Sequence, residues 1–491
     1  MPKGPVLNDI SRNFTTRDSL GIEGVATTMQ AEVCPVVNTV TPRAFYWPFL
    51  VWIYYDFYKY SGIKEHNHTN LEKYLKRQDY FFVLATLLTE GSDQENLVGK
   101  QQSQEDVKAN TDGPYPFNPN YFQNAYGGMQ YYNAGCLSMY FIVDHDPEKD
   151  KTYTLPVLSL EGEEMAKAFE AVIKNTRYYN EYRRNDEPVP REVLEEYGKV
   201  INIGLNGFDD CKRLLRRFLF DDERTSFLAR RSRLLTDCCD YIKKIVIDNG
   251  VSQIDDSADC RRIFYDHQLP NGNKLVVDDS LITVVNKWEI VVGRMYFACG
   301  VGMVWKYMLE QLNEPLTLKE WISRTIKNAD YKWNLESKIT DIIDECDYDF
   351  DTREKMISAS SIKHSSSYSI ENGIKIILSV YNRFINRSDF GEEKVFFEYG
   401  EENHSISINE LFKQVNHYKN ESIKDLIVYI MKNWLVEQHL YTAFNKLLQG
   451  RDGFYYENID GRYIRKHEYE VSFQGNRMIQ LTQVMRDLDM L

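Results

Sequence analysis

Apolar residues recur at helical spacing along most of this chain, and the clearest signal comes early. At Thr41-Pro42 the pattern predicts a helix start. Thr is a good N-cap, and Pro tolerates the first helical position because its missing N–H would be unpaired there anyway. After Arg43, apolar and aromatic side chains fill nearly every position to Tyr55. A helix without a polar face belongs inside protein or inside lipid. The uncharged run Ala44–Tyr55 is shorter than the roughly 20 residues of a membrane span, so a core helix kinked at Pro48 is expected.

Further helices follow from the same periodicity. Leu71–Glu90 carries an apolar stripe through Leu71, Tyr74, Leu75, Phe81, Phe82, Leu84 and Leu87. Ser159 caps a predicted helix with Met165, Phe169, Val172 and Ile173 on one face. Val285–Leu312 is strongly apolar, and its Gly293, Gly300 and Gly302 permit close helix–helix approach. Leu137–Val143 and Thr152–Leu158 read as short strands. Between them and the first helices, Gly91–Asn120 is polar and punctuated by Asp112-Gly113-Pro114 and Asn118-Pro119, which predicts a long loop. It runs into Tyr121–Gly135, rich in glycine and aromatics, which suits tight packing or a nucleobase-sized pocket.

The last third carries the best structural signature. Ser407–Val415, Ser422–Asn433 and Trp434–Leu448 read as three helices, with Ser422 and Asp425 as a capping-box variant. Phe454–Glu457 and Arg462–Lys466 flank Asp460-Gly461, a strong hairpin turn, and a final helix follows from about Asn476 to Leu488. Three helices and a hairpin give the order of a winged helix, whose third helix enters the major groove while the hairpin contacts phosphate. Gln438, His439, Thr442, Asn445 and Lys446 are expected on the exposed side of that helix, with Arg451, Arg462 and Arg465 near the wing.

Composition narrows the function classes. The 491 residues suffice for two or three domains at about 150 residues each. A net charge of −14 excludes a uniformly basic nucleic-acid coat but leaves room for a local basic groove. The most basic segment holds Arg213, Arg216, Arg217, Arg224, Arg230, Arg231 and Arg233, interleaved with Leu214, Leu215, Phe218 and Leu219. It reads either as a phosphate-contacting face or as a solvated face paired with the chain's excess acid. The acids of Asp341–Asp351 read as a solvated loop, and Ser358–Ser369 as a domain boundary. Eight scattered cysteines form no C-x-x-C, so neither structural zinc nor another metal site is expected. Walker A, G-x-S-x-G and H-E-x-x-H sequences are absent, so no common NTPase, hydrolase or zincin signature is present, and no cofactor is expected. Met1-Pro2-Lys3-Gly4 opens no signal peptide and no segment spans a bilayer, so a cytoplasmic protein without membrane contact is expected.

Three ordered blocks resemble a large, largely uncharacterised bacterial family. The first is Arg17-Asp18-x-Leu20-Gly21-Ile22 with Asn38-Thr39-x-Thr41-x-Arg43-x-x-Tyr46. The second is Tyr121-Phe122-x-Asn124 through Tyr131-Tyr132-x-x-Gly135-x-Leu137. The third runs from His439-Leu440 through Leu447 and Gly450-Arg451-Asp452 to Arg486-Asp487-Leu488. Members of that family resemble components of anti-phage and restriction-type loci encoded with helicases or nucleases. The resemblance implies DNA-directed defence, with such enzymes as partner proteins, and carries over no catalytic residue.

These readings define a mainly α (α+β) chain in three parts. They are an N-terminal mixed domain with the buried aromatic helix (1–205), a central helical domain (206–360) and a C-terminal winged-helix-like domain (361–491). The first functional reading is a DNA-engaging defence component that recognises foreign or modified, double-stranded DNA. It would use Arg213, Arg216, Arg217, Arg230, Arg231, Arg233, Gln438, Asn445, Lys446, Arg451, Arg462 and Arg465. The second is a nuclease or base-excising glycosylase, which needs an aromatic pocket beside a carboxylate or activated water. For it, Asp112, Asp18, Arg43 and Asn133 must converge in one cleft. The third is a protein-interaction scaffold, which requires neither arrangement.

Overall fold

The computed structural model describes residues 18–59, 66–122, 127–146, 151–251, 254, 257–361, 366–471 and 473–491. Arg17, residues 123–126 of the glycine–aromatic stretch and residues 362–365 of the Ser-rich segment lie outside them. The chain is mainly helical, as the periodicity predicts. In chain order the first elements are α1 (Glu23–Val33), α2 (Tyr46–Lys59), α3 (His68–Leu88), α4 (Lys100–Ala109), α5 (Asn133–Ser138), β1 (Ile142–Asp146) and β2 (Lys151–Leu158). Next come α6 (Leu160–Ile173), α7 (Arg191–Val200), α8 (Asp209–Phe220), α9 (Ser226–Lys243), α10 (Ser257–Asp266) and α11 (Ile282–Glu310). Then follow β3 (Leu316–Thr317), α12 (Leu318–Asn328), α13 (Ile339–Ile342), α14 (Phe350–Ser361), α15 (Ser369–Ile385) and α16 (Ile408–Tyr418). The chain ends with α17 (Ile423–Tyr429), α18 (Gln438–Leu448), β4 (Tyr456–Ile459), β5 (Arg462–Arg465) and α19 (Arg477–Asp487).

The described residues group into two discontinuous units. One contains the described residues of 1–32 and 255–475; the other is Val33–Ile254 with Asn476–Leu491. The reason is long-range pairing. In the first unit β3 pairs with β5, Leu316 facing Tyr463, and builds a sheet of order β3-β5-β4 across about 145 residues of chain. In the second, α19 returns to pack on α9. The described residues of the Ser-rich segment, 358–361 and 366–369, fall in the first unit.

In the Val33–Ile254 unit, every residue of α2 from Tyr46 to Phe57 is buried, which is the protein-core outcome expected of a helix apolar all round. Its start differs from expectation. Thr41 closes a local turn on Asn38 instead of capping a helix, and α2 begins at Tyr46, so Pro48 falls in the first turn, where no N–H partner is lost. Phe45 stacks on Phe82 with ring centroids 4.7 Å apart, and Phe169 stacks on Phe208 at 5.0 Å. The predicted 91–120 loop contains α4. The strand expected from Leu137 starts at Ile142, because α5 takes the residues before it.

In the other unit, α11 is the buried centre and packs on α10 and α15. Ser407 caps α16, and Ser422 with Asp425 closes the expected capping box on α17. The second and third helices expected here are one continuous run, since a π-helical stretch (Ile430–Glu437) joins α17 to α18. The hairpin turns at Asp460 (φ 52°) and Gly461 (φ 80°), both left-handed as a two-residue turn demands. Among the described residues, no helix is long and apolar enough to cross a membrane.

Candidate functional site

Helix α18, the predicted recognition helix, presents three different faces. Inward lie His439 and Ala443, both fully buried. The His439 imidazole donates from Nδ1 to the Ser19 carbonyl (2.9 Å) and accepts at Nε2 from the Tyr455 N–H (3.1 Å). Burial pulls its pKa down to about 4, so it is a neutral, structural histidine and not an exposed base reader. A second face carries Gln438, Thr442, Asn445 and Gln449, which border a cleft of about 850 Å³. The third is apolar and open to solvent: Leu440, Tyr441, Phe444 and Leu448 are 44%, 41%, 53% and 82% exposed. Leu440, Phe444 and Leu448 fall at i, i+4 and i+8, so they form one stripe, and Tyr441 at its edge also lines the cleft.

The cleft belongs to the same unit and is walled by α1, α18 and the loop around Gly400. Asp18, in a left-handed conformation (φ 47°), holds the start of α1: its carboxylate accepts from the N–H groups of Glu23 (3.0 Å) and Gly24 (2.7 Å). Lys446 donates to the Asp18 carbonyl at 2.9 Å. Burial first, and the Asp18 charge second, push the Glu23 carboxyl up to about 7. Glu32, Glu398, Glu401 and Glu402 line the cleft together with Lys446 and Arg451, a balance that repels phosphate. Gly21 closes against α18, since a Cβ there would lie 3.0 Å from the Thr442 hydroxyl. The polar face expected to read base edges is therefore committed to a carboxylate-lined cleft.

The four residues expected to converge for catalysis do not share a set of partners. Arg43 is 1% exposed and clamped. Its guanidinium pairs with Asp487 (3.1 Å) and Asp93 (2.8 Å) and donates to the Glu95 carbonyl (3.0 Å). The same Asp487 carboxylate accepts from the Ala44 N–H at 2.9 Å. Asn133 opens α5 and accepts from the Tyr54 hydroxyl at 3.4 Å. Asp112 is exposed in the turn before Tyr115. Asp18 caps α1 in the other unit. In the aromatic stretch, Asp79 organises the glycines: it accepts from the Tyr121 hydroxyl and from the Gly128 N–H (2.8 Å), and burial raises its pKa to about 7. In the described part of that stretch, the glycines pack closely: a Cβ on Gly128 would lie 2.8 Å from Val98.

The arginine-rich segment spans α8 and α9, and most of its charge is spent internally. Arg213 pairs with Asp210 and Arg217 with Glu164, each at 3.1 Å. Arg216 donates to the Leu488 carbonyl (2.7 Å) and pairs with Asp489 (3.4 Å). Arg231 is buried on Asp222 (3.2 Å) and on the carbonyls of Ser138 and Phe218. Arg230 and Arg233 are exposed and make no ion pair among the described residues. On β5, Arg462 is exposed and Arg465 half-buried; Arg451 is exposed at the cleft mouth. Among the described residues, no group of three or more His, Cys, Asp or Glu is placed to hold a metal ion. In the acidic run, Asp341 closes the capping box of α13 and Asp349 accepts from the Thr352 N–H at 2.7 Å. Comparison with family models, curated proteins and solved structures finds no match to this chain.

Proposed function

We propose that this chain is a docking component of a bacterial anti-phage defence system, holding partner proteins that act on foreign DNA. The observation that carries this reading is the solvent-facing stripe Leu440–Phe444–Leu448 on α18, bordered by Tyr441 at the cleft edge. Contiguous exposed apolar side chains, aromatic ones above all, mark protein-contact surfaces. The neutralised arginines of α8 and the carboxylates around the cleft support protein contact over phosphate contact. The resemblance to defence-locus proteins supplies the partner class, a helicase or a nuclease. The test is co-purification of the tagged chain with helicases and nucleases of the host's defence loci. F444S/L448S should cut recovery of the partner about tenfold or more while changing stability by no more than about 0.5 kcal/mol, as exposed substitutions do. Equal recovery with the variant sinks the reading.

Direct DNA contact is the second reading, favoured by one specific observation. The elements α11, β3, α12, the α17–α18 run, β4 and β5 follow the helix and strand order of a winged helix, with residues 329–422 inserted. Arg462 and Arg465 would sit on its wing. This reading expects a salt-sensitive mobility shift with modified phage duplex that R462E/R465E removes. Alkali-revealed or Mg²⁺-dependent strand breaks in the same incubation would instead speak for the glycosylase or nuclease.

A further inference from the structure

Helix α12 is apolar on two sides, and only one of them is used by the core. Trp321 is buried against Trp305, Tyr456 and Tyr463 and donates its indole N–H to the Met308 carbonyl at 2.6 Å. On another side Leu318, Ile322 and Ile326 recur at i, i+4 and i+8, all half-exposed. They form one wall of a groove of about 600 Å³. The other wall comes from the α17 run, with Lys424, Val428 and Lys432 at the same spacing. Both helices start from a closed capping box, Thr317 with Glu320 and Ser422 with Asp425, which fixes their first turns.

The charge around this groove reverses that of the chain. With 73 acidic against 59 basic residues overall, the groove is bordered by four lysines, Lys319, Lys327, Lys424 and Lys432, and by no carboxylate. Lys424 pairs with Glu336 at 3.2 Å, while Lys319, Lys327 and Lys432 make no ion pair among the described residues. The wall from Leu318 to Ile326 spans nine residues, about 12 Å of helix, which matches two to three turns of a partner helix laid along it. The lining is aliphatic, so it offers no ring face on which a base could stack.

We propose that the α12–α17 groove seats an acidic amphipathic helix of a partner protein. The partner's leucine-type side chains at i, i+4 and i+7 fill the groove, and its flanking Asp and Glu meet the lysine rim. The inference rests on the docking reading but uses a surface separate from the α18 stripe.

The test titrates the full chain with three fluorescent probes and reads anisotropy. One is a helix-stapled peptide of about four turns with Leu at those positions and Glu beside them. The others are its Lys-for-Glu counterpart and a DNA duplex. The acidic peptide should bind, and more weakly as NaCl rises from ~50 to ~300 mM. K319E/K327E/K432E should weaken it about tenfold or more and confer binding of the basic peptide, since charge complementarity sets the choice. I322D should also abolish binding; the lysine reversals, at exposed positions, keep the test valid if I322D fails to fold. No binding of the acidic peptide, or equal binding by all variants, overturns the inference. Duplex binding that the lysine reversals abolish and I322D leaves intact overturns it too and assigns the rim to nucleic acid. F444S/L448S is titrated in parallel. Partner capture lost in that variant with peptide binding intact leaves both proposals standing. Capture through α18 without peptide binding removes the groove alone, and capture unaffected by F444S/L448S removes the α18 reading alone.

Discussion

Glu289 shows what single residues contribute here. It sits on α11 with its carboxylate wholly buried, and it accepts from Arg383 (2.6 Å), Arg387 (2.7 Å) and His267 (3.1 Å). Burial alone would raise its pKa; the three basic partners outweigh that and hold it at about 2. A depressed carboxylate contributes stability that is present above its unfolded value near 4.5 and is lost as pH falls toward 2. E289Q leaves two arginines facing a neutral amide. It should cost about 3–5 kcal/mol at pH 7, the usual penalty for breaking a buried pair. Urea unfolding should show the gap between wild type and E289Q closing as pH drops through that window. A gap that does not change with pH would mean the network is worth only its hydrogen bonds. The sequence marks none of these four residues as partners, because 22, 94 and 98 positions separate Glu289 from them.

At the scale of elements, α11 and α15 meet through glycine. A Cβ on Gly300 would lie 2.8 Å from the Gly373 carbonyl oxygen, and one on Gly373 would lie 2.6 Å from that of Gly300. Alanine normally favours a helix over glycine by about 1 kcal/mol. Here G300A and G373A should each have the opposite sign, destabilising by about 1–3 kcal/mol as overpacked cores do. Thermal unfolding decides it, and a rise in Tm for either variant would contradict the close crossing. The sequence makes Gly300 legible as a contact point, since it interrupts an apolar helix, but its partner Gly373 is visible only once α15 is in place. Helix α18 shows the same limit. Its 3.6-residue period separates three faces correctly, yet nothing in the period says that His439 turns inward while Phe444 and Leu448 turn out.

At the scale of the molecule, the chain's last helix completes the unit that begins at Val33. Arg43 and Asp487 are 444 positions apart and form one buried pair. A fragment of residues 33–254 should therefore be deficient, with Arg43 keeping Asp93 but losing its buried partner Asp487. Adding a peptide of residues 476–491 should raise its Tm on the order of 10 °C, while the same peptide carrying D487A should raise it far less. Calorimetry on the two mixtures checks this, and an equal effect of both peptides would remove the Arg43–Asp487 pair from the account.

By itself the sequence determined the elements whose signals are local. The mainly helical class, the caps at Ser159 and Ser422, and the Asp460-Gly461 hairpin turn depend on residues within one turn of each other. Only the tertiary structure decided that Asp18 caps a helix while Arg43 is locked on Asp487, and that the arginines of α8 meet carboxylates. It also set which face of α18 meets water and let residues 316–317 supply the sheet's third strand. Those outcomes depend on pairings between distant segments, and burial and charge select such pairings only when the whole chain is packed.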